Sequence, residues 1–197
     1  MENVEKIILG IDPGTQILGY SLIEVVEDKP RVMVLDVLYL KKIADFNLRI
    51  RKIFDSTLRL IDTFHPDHLA IEAPFFGKNV QSMLKLGRAQ GVAIAAAISR
   101  DLSITEYEPS VIKQHITGNG NATKEQVAAI LHSILHFDQT SAYLDATDAL
   151  AVAYTCHLHL TNPLADVQAQ HAPKKKKSNS AKKQWSEFLS QNPELVN

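Results

Sequence analysis

ILGIDPGTQILGY, residues 8–20, joins an apolar run to a carboxylate and a tight turn. The run is apolar on both faces up to Asp12, which is typical of a strand inside a sheet that helices cover on both sides. A Pro-Gly pair follows at once and predicts a turn. No basic residue within the stretch could neutralise Asp12. The stretch therefore predicts a buried strand that ends on an unpaired carboxylate.

The remaining elements follow in an order that favours an α/β fold. Two β-rich segments, 19–27 and 30–40, are separated by a turn, so the first three strands should form an antiparallel meander. A helix is expected over 47–64, a buried strand over 68–74, a helix over 80–102 and a strand over 103–109. Helical sequence then continues to about residue 160. We expect a five-stranded mixed sheet with helices on both faces.

Composition limits the domain count and the environment. At 197 residues and 45% hydrophobic content, the chain can bury one good core. Its single cysteine, Cys156, excludes an internal disulfide and a cysteine-based zinc cluster, and its apolar surroundings predict a buried side chain. No apolar stretch approaches the ~20 residues that a membrane span needs, and no signal peptide is recognisable. A cytoplasmic location is therefore expected.

The last part of the chain differs from the rest. From residue 162 onward there are six lysines against three acids, whereas the preceding residues carry a net charge of −4. The apolar periodicity ends in QAQHAPKKKKSNSAKKQ, which predicts disorder. We expect one domain over residues 1–160 and a lysine-rich, disordered tail over residues 161–197. The tail is most simply a solubilising extension, although a non-specific grip on DNA is an alternative.

Two further acids lie in YLDATDALAVAY, a predicted helix. Asp145 and Asp148 are three residues apart and so share one face near the helix start. Capping and the helix dipole also explain acids at such a position, and Asp12 could be only a turn-forming residue. Glu72 is harder to explain, because a carboxylate that ends an apolar strand is rarely buried without a partner.

A shared metal site would account for all four acids. If the strands ending at Asp12 and Glu72 are parallel neighbours, both carboxylates reach one edge of the sheet, where α/β proteins commonly place ligands. Carboxylates gathered there raise one another's pKa unless a cation lies among them. Mg²⁺ takes oxygen ligands, and two such ions about 3.5–4 Å apart can clamp a phosphodiester during in-line hydrolysis. Asp12 then has no basic neighbour because a metal is its partner.

Four motifs resemble those of the RuvC family of Holliday-junction resolvases in order and spacing: ILGIDPGT…GY, AIEAPFFGKN, LKLGRAQGVAIAAA and DATDALAVA. The resemblance spans about residues 6–160. It implies an RNase H-like fold and a homodimer that cuts two opposing strands of a four-way DNA junction with Mg²⁺ or Mn²⁺. The family's catalytic acids fall on Asp12, Glu72, Asp145 and Asp148. The clearest departure is APF directly after Glu72.

The resemblance also assigns roles to basic and aromatic residues, most of which could instead be ordinary surface or core. Lys113 and Lys124 match basic positions near the scissile phosphate, where a lysine could stabilise charge in the transition state. Phe75 matches the base-stacking position and is preferred over Phe76. Further phosphate contacts are expected from other basic residues of the middle segment, namely Lys78, Lys85 and Arg88. Thr123 and Gln126 have the spacing of a capping box.

Partners and competing functions complete the expectations. Small residues recur every four positions at Gly87, Gly91, Ala95 and Ser99, which lets another helix approach, and the resemblance suggests that this helix helps to form the dimer. It also suggests cooperation with the RuvA and RuvB branch-migration proteins. A catalytically inactive junction-binding scaffold is the main alternative. An ATP-handling protein of the actin type is less consistent, because the chain is short and lacks a second glycine-rich phosphate turn.

Overall fold

The computed structural model describes residues 4–74, 79–137 and 144–162. They belong to the first of two units into which the chain divides, Met1–Asn162. The second unit, Pro163–Asn197, lies outside the described residues. The disordered tail and the domain boundary at residue 160 therefore stay predictions.

The described residues form a single five-stranded sheet in the order β3-β2-β1-β4-β5. Its strands are β1 (Val4–Asp12), β2 (Ile17–Val26), β3 (Lys29–Tyr39), β4 (His68–Glu72) and β5 (Ser103–Tyr107). The first three pair antiparallel, and β1, β4 and β5 run parallel to one another. The mixed sheet and its opening meander are confirmed.

The helices of the described residues are α1 (Phe46–Phe64), α2 (Val80–Ile98), α3 (Pro109–Thr117), α4 (Lys124–Leu135) and α5 (Leu144–Thr161). The prediction that the second helix reaches Leu102 is wrong. It ends at Ile98, and the chain turns through Asp101, which has a φ of 55°. The turn lets Leu102 pack back into the core beside α2, so the apolar pattern continues past the end of the helix.

Helices cover both faces of the sheet because strand residues alternate between two cores. In β1, Leu9 and Ile11 face the core formed with α1 and α2, whereas Ile8 faces the core formed with α3, α4 and α5. All three side chains are completely buried. Even-numbered positions of β1 therefore point toward α5, and this alternation decides where Asp12 lies.

Two smaller predictions concern Cys156 and the membrane. Cys156, a residue of α5, is a free and completely buried thiol in the core between that helix and the sheet, as expected of a small apolar side chain. Within residues 4–74, 79–137 and 144–162, no helix combines the length and the apolar character needed to cross a bilayer.

Candidate active site

Strand pairing brings Asp12 and Glu72 to the same edge and the same face of the sheet. β1 and β4 are parallel neighbours in which Ile11 pairs with Ile71, and each strand ends at the following residue. Ala70, two positions before Glu72, packs in the core beside α5. Side chains alternate along a strand, so Glu72 points to the α5 side, as Asp12 does. The condition for a shared edge, that the two strands are parallel neighbours, is therefore met.

Glycines let α5 lie directly against the strands. A β-carbon on Gly19 would stand 1.9 Å from the carbonyl oxygen of Asp145, and one on Gly10 would stand 2.3 Å from that of Ala149. Any larger side chain would push the helix away. Ser21 fixes the contact, because its buried hydroxyl donates a 3.0 Å hydrogen bond to the Ala149 carbonyl oxygen. The beginning of α5 is thereby held against the end of β1 and the start of β2.

Three carboxylates converge as a result. Asp12, Asp145 and Asp148 each offer an oxygen, and these oxygens all lie within 4.8 Å of one another. Asp12, Asp148 and Glu72 also line a cavity of about 140 Å³, together with Lys113 and Lys124. Four acids from three separate elements are thus gathered at one edge of the sheet.

Electrostatics favour the neutral form of the two strand-end acids. Burial, and then the charges of Glu72 and Asp148, raise the pKa of Asp12 to about 8. Burial, and then the charge of Asp148, raise the pKa of Glu72 to about 7. Burial also raises the pKa of Asp148, although its bond with Lys124 opposes the shift. Such a cluster needs positive charge to remain fully ionised near neutral pH.

Lys124 supplies some of this charge. Its ammonium group donates a hydrogen bond to Asp148, and the two form an ion pair. Burial lowers the pKa of Lys124, but the bond to Asp148 and the neighbouring carboxylates outweigh burial, so its pKa is raised overall. Lys124 begins α4, and the predicted capping box before it is confirmed by reciprocal bonds between Thr123 and Gln126.

Of the other predicted DNA contacts, Lys113 belongs to the same cavity, whereas Lys85 and Arg88 lie on α2. Lys113 lines the cavity and lowers the pKa of both Glu72 and Asp148. Lys85 stands 6.0 Å from the centre of the Phe46 ring, and Arg88 lines a groove beside Pro74 and Leu84 on α2.

Two of the predicted DNA contacts, Phe75 and Lys78, lie outside the described residues, as does Phe76.

The donor set fits hard divalent cations. It consists of carboxylate oxygens, the ligands that Mg²⁺ and Mn²⁺ prefer, and burial, followed by mutual repulsion, raises the pKa of Asp12 and Glu72. Asp12, Asp145 and Asp148 are close enough to share one ion. Glu72 faces the same cavity. These observations favour a metal site over capping or turn formation as the shared reason for the four acids.

Sequence reasoning missed Gln90, a polar residue of α2 that is only 7% exposed. Its side-chain amide donates to the backbone carbonyl of Glu72 at 3.3 Å and to the Glu106 carboxylate at 2.7 Å. A signal was present, because Gln90 stands beside Ala89 and Ala93 on the apolar side of the helix. To interpret this signal, one must know which strand end packs against Gln90, and the sequence alone does not give that.

Comparisons with known proteins identify the family. The family model for Crossover junction endodeoxyribonuclease RuvC matches residues 8–157. The protein of that name from Porphyromonas gingivalis is 50% identical over 198 residues, covering 100% of both chains. The one from Bacteroides fragilis is 50% identical over 194 residues, covering 98% of this chain and 96% of the relative.

A solved structure gives the same result at the level of the fold. T. thermophilus RuvC, in complex with Holliday junction substrate, superposes with a TM-score of 0.71 at 29% identity, covering 77% of this chain and 92% of that one. This likeness and the sheet order confirm the RNase H-like fold. The chain therefore belongs to the RuvC family of crossover junction endodeoxyribonucleases.

Proposed function

We propose that this chain is a metal-dependent endonuclease that resolves four-way (Holliday) DNA junctions by paired symmetric nicks during recombination and repair. The observation that carries the proposal is the convergence of Asp12, Asp145 and Asp148 beside a cavity lined by Glu72 and two lysines. Relatives that are 50% identical over essentially the whole chain are named for this activity. A scaffold without catalysis would have no need of a buried acidic cluster that lowers stability.

Asp12, Glu72, Asp145 and Asp148 would hold the cations, for which we propose two Mg²⁺ ions that Mn²⁺ can replace. When bound, such ions activate the attacking water and neutralise charge on the reacting phosphodiester. The protein contributes a fixed arrangement of oxygens on a rigid sheet edge. Because two strands and α5 hold these oxygens, little reorganisation is needed when the substrate arrives.

Lys113 and Lys124 would act on the phosphate itself. Both line the cavity that the carboxylates face, so a phosphate placed there lies within reach of two ammonium groups. Positive groups aimed at developing charge lower the barrier most where water is excluded. Lys124 also balances Asp148 until substrate and cations enter.

DNA outside the reacting phosphate would be held by Phe75, Lys78, Lys85 and Arg88. Lys85 and Arg88 lie on α2, the helix that follows the strand ending at Glu72, and would contact phosphates beyond the reacting one. Phosphate contacts supply affinity that falls steeply as salt rises. Phe75 would stack on an unpaired base, which linear duplex does not offer.

A homodimer would supply the second nick. One face of α2 exposes small and apolar residues with helical spacing, and we call this face the α2 stripe: Val80, Leu84, Gly87, Gly91, Ala95 and Ile98. Its large members are 58%, 53% and 61% exposed for Val80, Leu84 and Ile98. A β-carbon on either glycine would meet no atom within 4 Å. An exposed apolar patch of this kind is typical of a protein interface.

The remaining proposals follow from the substrate. We propose a cytoplasmic location, because the relatives are bacterial and chromosomal DNA in bacteria lies in the cytoplasm. Cooperation with RuvA and RuvB stays a prediction based on the family resemblance. The proposed nuclease domain ends near residue 160.

Cleavage of a labelled synthetic junction tests the function. The junction and linear duplexes of the same sequences are incubated with the full chain in Mg²⁺ and in EDTA. We expect paired nicks in the junction only, and only with Mg²⁺. Equal cutting of the linear duplex would keep the nuclease but remove the junction as its substrate, and binding without cutting would favour the scaffold.

Asp145→Ala separates binding from chemistry in the same assay. We expect this variant to bind the junction with near wild-type affinity and to lose cleavage, because it removes one of the three clustered oxygens. Asp55→Ala is the matched control, since Asp55 is an exposed acid of α1 in an i,i+4 pair with Arg51. Normal cutting by Asp145→Ala would refute the metal-site assignment.

A further inference from the structure

We propose that Gln90 is a positioning residue for the active site, which holds the end of β4 so that the Glu72 carboxylate meets the cations in a fixed place. The inference rests on the proposed role of Glu72 as a metal ligand. It adds a residue of α2 to a site that otherwise consists of strand ends and of α3, α4 and α5.

The contacts of Gln90 identify it as a connection between elements. Its side chain is almost completely buried, and the amide nitrogen donates to the carbonyl oxygen of Glu72 at 3.3 Å and to a carboxylate oxygen of Glu106 at 2.7 Å. Glu106 lies in β5, where it pairs with Ile71. One side chain of α2 thus binds two neighbouring strands at the edge of the sheet where the acids gather.

Glu72 needs such support because it is the last residue of β4. The ladder to β5 ends with the pair Glu72–Tyr107, and one further bond joins the Ala73 amide to the Tyr107 carbonyl oxygen. Beyond it the chain leads into the segment that contains Phe75 and Lys78. A movement of the backbone at Glu72 would therefore move its carboxylate.

The chemistry at position 90 requires a donor with two hydrogens. Both partners are acceptors, one a carbonyl and the other a carboxylate, so the –NH₂ group of glutamine can satisfy both. Methionine fills a similar volume but donates nothing. Glutamate donates nothing when ionised and would also repel Glu106.

Position 90 also connects the site to the proposed dimer. Gln90 is buried on the side of α2 that faces the sheet, while its neighbour Gly91 belongs to the exposed α2 stripe. Gln90 is therefore the point at which the helix that carries the stripe bonds to a catalytic strand. A displacement of α2 would reach the Glu72 backbone through this amide.

The Mg²⁺ dependence of junction cleavage tests the inference. We expect Gln90→Met to raise the Mg²⁺ concentration for half-maximal cleavage about tenfold, the lower end of what loss of a supporting hydrogen bond around a metal ligand costs. Gln90→Glu should be worse than Gln90→Met. Junction affinity in EDTA and the melting temperature are measured on the same proteins. Gln81→Met, an exposed position of the same helix, is the matched control.

A second variant protects the test against a simple folding defect. Glu106→Leu changes an exposed side chain and leaves Gln90 with one of its two anchors, so the Mg²⁺ midpoint should rise less. The double variant Gln90→Met/Glu106→Leu should match Gln90→Met, because Glu106 acts through Gln90. If Gln90→Met has a lower melting temperature but an unchanged Mg²⁺ midpoint, Gln90 only stabilises the fold, and the inference is overturned.

Glu72→Gln, assayed alongside, distinguishes the two possible failures. If Glu72→Gln is inactive and Gln90→Met resembles wild type, the positioning role is wrong and the carboxylate site stands. If Glu72→Gln cuts normally, the metal role of Glu72 is wrong and the positioning inference falls with it.

Discussion

The carboxyl group of Asp12 makes the stability of the metal-free protein depend on pH. Its pKa in the folded chain is about 8, against an ordinary value of 3.8, because of burial and then the charge of Glu72. Between these values the unfolded chain has released the proton while the folded chain still holds it. The free energy of unfolding therefore falls as the pH rises from about 4 to about 8.

Asp12→Asn should remove the part of the pH dependence that Asp12 contributes, since asparagine has no proton to lose and no charge to bury, whereas Glu72 and Asp148 keep theirs. We expect the variant in EDTA to melt a few degrees above wild type at about pH 8, and the difference to shrink toward about pH 5. Mg²⁺ should raise the melting temperature of wild type at the higher pH, because it binds the folded state, and should not do so for the variant. Parallel curves of melting temperature against pH would contradict the assignment.

Lys124 gives a second prediction at the scale of single residues. Lys124→Gln removes the ammonium group that pairs with Asp148 in the cavity. We expect single-turnover cleavage to slow by about 10²-fold, the scale found when one transition-state donor is removed, while junction affinity changes little. Lys52→Gln, on an exposed position of α1, should cleave at the wild-type rate. Equal loss of binding and cleavage would make Lys124 a simple phosphate contact.

The packing of α5 on the sheet gives a prediction at the scale of elements. A β-carbon would stand 1.9 Å from backbone oxygen at Gly19, 2.3 Å at Gly10 and 3.1 Å at Gly120. The first two contacts are with backbone oxygens of α5, which no change of rotamer can move aside, so the helix itself must shift. We expect alanine to destabilise most at Gly19, then at Gly10 and least at Gly120, with losses of about 1–3 kcal/mol for the α5 contacts. Urea unfolding measures the order.

Cleavage by the glycine variants shows whether helix position or stability decides activity. Gly19→Ala displaces the turn that carries Asp145 and Asp148, so its cleavage rate should fall even at temperatures where it remains fully folded. Gly120→Ala lies in the loop before α4, against Ser110, and serves as the comparison. Wild-type cleavage by folded Gly19→Ala would mean that α5 tolerates the shift.

The features that could be predicted from the sequence are those whose cause lies within a few neighbouring residues. The strand ending at Asp12 follows from an uninterrupted apolar run, and the capping box before α4 from two residues three apart. The predicted end of α2 was wrong because Leu102 packs in the core although the helix has already ended. The contacts of Gly19 and Gln90 could not be predicted, because each forms where two elements that are distant in sequence meet.

At the scale of the whole molecule, paired nicks require two copies of the site. The Met1–Asn162 unit brings together one set of four acids, so a single copy would cut one strand at a time. A twofold dimer presents the same site twice in a fixed relation, which matches two symmetry-related phosphates of a four-way junction. The α2 stripe is the apolar surface that we propose for this contact.

Leu84→Glu tests the dimer, because it places a charge in the middle of the α2 stripe at a position that is 53% exposed. The exposure means that the monomer should fold normally, whereas a charge buried between two helices without a partner weakens their association. We expect sedimentation velocity to show dimeric wild type and monomeric Leu84→Glu at the same concentration, and the variant to release singly nicked junctions. Met33→Glu, on the edge strand β3 and 39% exposed, controls for the added charge and should stay dimeric. A dimeric Leu84→Glu that still makes paired nicks would move the interface away from α2.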